Sequence, residues 1–92
     1  SLKEEDLVTI VDNMLSEVSA NLSARGISLD VTGEAKRKLA EMGYDPAFGA
    51  RPLRRIISQH VEDGITDLLL DDEDVKEIRV ELEADQVRVV RA

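Results

Sequence analysis

Apolar residues recur along the first 22 positions at helical spacing. Leu7, Val8, Val11, Met14, Leu15, Val18 and Leu22 fall on one stripe, with Asp, Glu, Asn and Ser between them. This predicts an amphipathic helix over Ser1–Leu22. Ser1-Leu2-Lys3-Glu4 has the spacing of a capping box at its start, and Arg25-Gly26 forms a plausible stop. Ile27-Ser28-Leu29-Asp30-Val31 then alternates with period two, which predicts a half-buried strand. Thr32 is a suitable N-cap for a short helix through about Glu41, with Ala35, Leu39 and Met42 facing inward and Gly43 at the C′ position.

Helical spacing returns after a turn at Tyr44–Gly49. Pro52 suits the first turn of a second long helix, whose stripe is Leu53, Ile56, Ile57, Val61, Ile65, Leu68 and Leu69. Gly64 lies within that stripe at a cost of about 1 kcal/mol relative to Ala, so a close crossing or a bend is expected there. Asp71-Asp72-Glu73-Asp74 reads as a solvated acidic loop. Ile78, Val80 and Leu82 alternate with polar residues, Glu83–Gln86 turns, and Val87 and Val89 alternate again, which predicts a terminal hairpin. The order is α-β-α-α-β-β. It predicts an α+β fold, three helices packed on one face of a small three-stranded sheet.

Length and composition narrow this picture. A chain of 92 residues, 42% hydrophobic and 35% charged, is expected to form one domain over 1–92 and is too apolar to be disordered. With one Tyr, one Phe and no Trp, the core must be aliphatic. No apolar run approaches membrane-spanning length, so no membrane contact is expected. The absence of Cys excludes disulfides and thiolate metal sites and fits a reducing compartment. The abrupt start at a helix, without Met, reads as an excised C-terminal piece of a longer protein.

Charge changes the picture more. The net −8 argues against nucleic-acid binding, which needs a basic face. Residues 1–35 and 62–85 are mostly acidic, whereas Lys36, Arg37, Lys38, Arg51, Arg54 and Arg55 crowd the middle. Three of those arginines open a helix, where backbone N–H groups and the macrodipole already make the end positive. Something negative must join them: Asp45, a neighbouring carboxylate, or a bound phosphate. Arg54 and Arg55 read as solvated residues paired with surface carboxylates. Arg51, between Gly49 and Pro52, has a stiff backbone that can aim its guanidinium at an anion, and a carboxylate would serve as well as a phosphate.

Other chemical signals are weak. His60 is a boundary residue with no nucleophile or acid partner. Met14 and Met42 are core fillers. The 71–74 run lacks the spacing of a calcium loop, and no GxxxxGK[ST] phosphate loop is present. The chain alone therefore has no catalytic residues, and no metal site is expected.

The segment Gly43-Tyr44-Asp45-Pro46-Ala47-Phe48-Gly49-Ala50-Arg51-Pro52-Leu53-Arg54-Arg55 resembles the sensor-2 segment of Clp-type AAA+ ATPases. The wider chain is similar to the C-terminal small subdomain of the second nucleotide-binding module in the ClpB, ClpC and ClpE group. The step Gly26-Ile27-Ser28-Leu29-Asp30-Val31-Thr32 followed by Glu34-Ala35, and the run Gln59-His60-Val61-Glu62-Asp63, extend the likeness. It covers about residues 5–70 well, and the terminal hairpin only in pattern.

The resemblance implies a lid subdomain of a cytoplasmic, hexameric unfoldase that drives disaggregation or feeds a peptidase. It implies that Arg51, carried by Gly49 and Ala50, reaches the γ-phosphate of ATP and couples nucleotide state to inter-subunit motion. The implied cofactor is ATP, with its Mg held by a large subdomain absent from these residues. The implied partners are that large subdomain, neighbouring protomers of a homohexamer, a Clp peptidase with adaptors, and protein substrates. The competing expectation is an interaction module that binds a neighbouring protomer or adaptor without touching nucleotide.

Overall fold

The computed structural model describes residues 3–92. The first helix, α1 (Glu4–Ser23), buries Leu7, Val11, Leu15 and Leu22, and Val8, Met14 and Val18 pack partly against the same core. The expected cap at Ser1 lies outside the described residues. Lys3 is the N-cap, and its backbone N–H donates to Asp6 Oδ2 at 3.1 Å. The helix ends as the sequence predicts. Gly26 takes φ +77°, Gly26 N–H donates to Ser23 O, and Ile27 N–H donates to Leu22 O, the paired bonds of a glycine-terminated helix with Leu22 and Ile27 buried beneath them.

Strand β1 (Ser28–Val31) leads to α2 (Gly33–Met42), where Thr32 Oγ1 accepts from Ala35 N–H as expected of the N-cap. The next helical stretch runs over 53–71. It comprises α3 (Leu53–Ile57), a π-helical turn (Ser58–Glu62) and α4 (Asp63–Asp71). Strands β2 (Glu77–Glu83) and β3 (Gln86–Arg91) complete the fold. No helix of the described residues is long and apolar enough to cross a membrane.

The sheet has the order β1-β2-β3. The β1–β2 pairing is parallel (Leu29 opposite Ile78, Val31 opposite Val80), and β2–β3 is an antiparallel hairpin (Val80 opposite Val89, Leu82 opposite Val87). These registers place Leu29, Val31, Ile78, Val80, Leu82, Val87 and Val89 on one face, against the helices. The other face carries Asp30, Arg79, Glu81 and Arg88. This is the expected α+β arrangement of helices on one face of a three-stranded sheet. Its core is aliphatic, with Val11, Leu39, Leu53, Val61, Ile78 and Val80 almost fully buried.

The π turn refines the uniform helix expected over this stretch, and its cause is visible in the stripe. Ile57, Val61, Ile65 and Leu69 recur every four residues, which overshoots a 3.6-residue turn by about 40° per step. A regular α-helix would rotate these residues off the core. The wider turn, with Asp63 N–H bonded to Ser58 O, reverses the drift at fully buried Val61.

Gly64 is explained by close approach to a strand. A Cβ there would lie 2.7 Å from Val89 Cγ2 and 3.0 Å from Val89 Cβ. Gly64→Ala gains about 1 kcal/mol of helix propensity but overpacks α4 on β3 by about 2 kcal/mol. A net loss of about 1 kcal/mol is expected in urea unfolding. Val89→Ala added to Gly64→Ala should recover part of it, whereas additive losses would show that the contact is not the cause.

The hairpin tip holds Ala84 at φ 51° and Asp85 at φ 63°, the two positive values that a right-twisted two-residue turn demands. Lys38 Nζ reaches Asp85 Oδ2 at 3.2 Å and ties the tip to α2. That bond raises the Lys38 pKa above its ordinary value, with the Asp85 charge and Glu41 adding to it against partial burial. Alanine disfavours the left-handed region. Ala84→Asn should therefore stabilise the chain by about 0.5 kcal/mol, read as a raised denaturant midpoint.

Candidate functional site

The segment between α2 and α3 is a closed corner. Asp45 and Gly49 exchange backbone hydrogen bonds, Asp45 N–H to Gly49 O at 2.9 Å and Gly49 N–H to Asp45 O at 2.6 Å. Inside that bracket, Asp45 Oδ1 accepts from Ala47 N–H at 2.7 Å and Phe48 N–H at 3.2 Å, the local bonding by which aspartate fixes a turn. Gly49 closes the bracket at φ +63°, where a side chain would be strained. Arg51 N–H donates to Phe48 O at 3.3 Å, and Leu53 N–H to Ala50 O at 3.0 Å, so the corner passes directly into α3. Pro52 is the N-cap of that helix, immediately before the first turn in which the sequence places it.

The corner is clamped to the core from below. Gly43 ends α2 with φ −92°, an ordinary right-handed value, so it is not the left-handed C′ glycine expected from the sequence. Contact selects glycine here. A Cβ on Gly43 would overlap Leu53 Cδ2, approach Leu53 Cγ to 2.7 Å and come within 3.0 Å of Leu53 Cα. Leu53 is fully buried. The residue that opens α3 is thus seated on the residue that ends α2.

The charges resolve differently from their crowding in sequence. Lys36 pairs with Asp12 at 2.7 Å, and Lys38 with Asp85 and Glu41. Arg54 approaches Glu17 only at 3.8 Å, with both side chains mostly exposed, so the pair contributes little. Arg55, expected to pair with a surface carboxylate, has no ion pair among the described residues. Arg51 has none either. Asp45, one of the anions considered for it, is turned into its own loop. The guanidinium of Arg51 instead lies over the Phe48 ring, Cζ 5.3 Å from the centroid.

Gly49, Ala50 and Arg51 are therefore brought together, with Arg51 exposed at the rim. The Gly49 amide is taken up by Asp45 O, so Gly49 shapes the corner through its backbone conformation. His60 is half-buried on the π turn, away from this corner in sequence. A groove of about 590 Å³ has a lining that includes Leu7, Arg37, Lys38, Tyr44 and Leu82 but none of Gly49, Ala50 or Arg51. Sequence reasoning missed the Phe48 stack, although the three-residue spacing of Phe48 and Arg51 was a usable signal. Among the described residues no cluster of His, Cys, Asp or Glu could hold a metal ion.

Residues 2–82 match the family described as the C-terminal, D2-small domain of ClpB protein. The chain is 55% identical over 89 residues to the ATP-dependent Clp protease ATP-binding subunit ClpE of Bacillus subtilis (strain 168), covering 97% of this chain and 13% of that protein. It is 49% identical over 81 residues to the ATP-dependent Clp protease ATP-binding subunit ClpL of Lactococcus lactis subsp. lactis, covering 88% and 11%. Against ClpE of Streptococcus pneumoniae serotype 4 (strain ATCC BAA-334 / TIGR4), identity is 46% over 79 residues, covering 86% and 10%. The chain thus spans between a tenth and an eighth of the length of these relatives.

Proposed function

Because the chain belongs to the family of C-terminal, D2-small domains of ClpB protein, we propose that it is the nucleotide-sensing lid of a Clp-type, ATP-dependent unfoldase. In this reading residues 1–92 form one small subdomain of a longer ATPase subunit. Arg51, on the corner built by Gly49 and Ala50, contributes a positive charge to ATP bound by a large subdomain of the same subunit, which also holds the Mg. The lid packs against neighbouring protomers of a homohexamer and transmits nucleotide state as rigid-body motion. Through that subunit it serves a Clp peptidase, adaptors and protein substrates in the cytoplasm.

One observation carries the reading. Arg51 is exposed on a hydrogen-bonded corner, yet it has no ion pair among the described residues, and Asp45 is bonded to the amides of its own loop. The donor set fits a phosphate. A guanidinium presents five N–H groups in one plane, and that of Arg51, with its Cζ 5.3 Å from the Phe48 centroid and no ion pair among the described residues, keeps donors for a bidentate anion. ATP would supply the negative charge that the cationic helix start lacks, and the chain's own part is to aim and hold Arg51. The continuous helix over 53–71, anchored at Leu53, is the lever by which a pull on that corner reaches the sheet.

The exposed Phe48 (59%) and Tyr44 (42%) favour a second reading, a protein interface that docks a neighbouring protomer or adaptor without nucleotide contact. Arg51→Ala in the intact subunit separates the two. Rings that assemble normally but hydrolyse ATP poorly support the sensor, whereas lost rings with normal turnover in those that form support the interface.

A further inference from the structure

Phe48 has no buried role that explains it. Its side chain is the more exposed of the two aromatics, at 59%, and an exposed ring gains little from hydrophobic burial. Yet it is held at three points. Its N–H is bonded to Asp45 Oδ1, its carbonyl accepts the Arg51 N–H, and its ring lies 5.3 Å beneath the Arg51 Cζ. The same residue thus fixes both the backbone and the side chain of Arg51.

We infer that Phe48 is a positioning residue that pre-orients the Arg51 guanidinium for an anion while leaving its hydrogen-bond donors free. The inference rests on the nucleotide-sensor reading above and adds the means of aiming. A carboxylate holding Arg51 would occupy the edge N–H groups that a phosphate needs, and would cancel the charge. A ring attracts the cation through its face and takes no donor. Arginine carries several rotatable bonds, and restricting them before binding removes part of the ordering cost at the moment of contact. Asp45 completes the device indirectly. By bonding the Phe48 amide it holds the ring in place, and being so engaged it does not compete for the guanidinium.

The test is nuclear magnetic resonance on this chain together with nucleotide kinetics on the subunit that carries it. In the wild-type chain the Arg51 δ-methylene and Nε–H resonances are expected upfield, shifted by the ring. Phe48→Leu, which keeps an apolar side chain, should abolish that shift, while Phe48→Tyr and Phe48→Trp should retain it. In the subunit, Phe48→Leu should weaken ATP binding or raise KM about two- to fivefold, the effect of one exposed cation–π contact, with Tyr restoring the wild-type value. Unshifted Arg51 resonances, or a Leu variant with wild-type KM in a subunit where Arg51→Ala is impaired, would overturn the inference and leave the sensor reading intact. Ring-shifted resonances with a kinetically silent Arg51→Ala would instead overturn the sensor reading and with it the purpose assigned to Phe48.

Discussion

Arg51→Ala, placed in the intact ATPase subunit, is expected to lower ATP turnover, or its stimulation by an unfoldable protein, by about a hundredfold with hexamers preserved. That is the scale of removing one aligned charge-stabilising donor from a site excluded from bulk water. The proposal gives Arg51 no work inside its own domain. The side chain is exposed, has no ion pair among the described residues, and loses only its contact with Phe48. The isolated chain carrying the substitution should therefore unfold within about 0.5 kcal/mol of wild type, as is usual for surface changes. Sedimentation, ATPase assay and urea unfolding check the three parts. Arg51→Lys should recover little, because an ammonium offers a point charge without the planar fork. Unchanged turnover in intact rings would end the sensor assignment.

Gly43→Ala should be the most destabilising of the single substitutions considered, by about 3 kcal/mol, the upper part of the range for overpacking a tight core. The added methyl would overlap Leu53 Cδ2 and crowd its Cα, so rotating the Leu53 side chain relieves only part of the clash. Leu53 opens α3, and its N–H is bonded to Ala50 O, so displacing it also displaces the Gly49–Arg51 corner. For a domain of this size the midpoint of thermal unfolding should fall by about 15 °C. If the protein remains folded at lower temperature, nucleotide turnover in the intact subunit should fall as well, although Gly43 precedes the corner and carries no charge. A midpoint within a few degrees of wild type would show that α2 and α3 part easily, and would remove the argument that the corner is rigid.

These two outcomes depend on different layers of the molecule. The sequence alone determined which elements form and which faces they bury. Leu7, Val11, Leu15 and Leu22 lie on one helical stripe, and Ile78, Val80 and Leu82 alternate along a strand. Thr32 caps α2, Gly26 ends α1 and Glu83–Gln86 turns, all as the spacing required. It also marked Arg51 as a cation out of place at a helix start. Those readings succeed because periodicity, caps and turns depend on neighbours a few residues apart, where the backbone geometry is fixed in advance.

Tertiary structure decided what the same residues do at a distance. Gly43 looks like a helix-ending glycine but is selected by Leu53 across the loop, and Gly64 by Val89 across the helix–sheet interface. The four-residue spacing over 57–69 is accommodated by the π turn at Ser58–Glu62, which keeps Val61 fully buried. Six crowded cations separated once Asp12, Asp85 and Glu41 came within reach of Lys36 and Lys38, while Asp45 turned toward its own loop amides. Close packing and ion pairing fall off within a few ångströms, so they respond to distance in space. Which glycine is crowded, and which cations find a carboxylate within reach, follows from the packed fold.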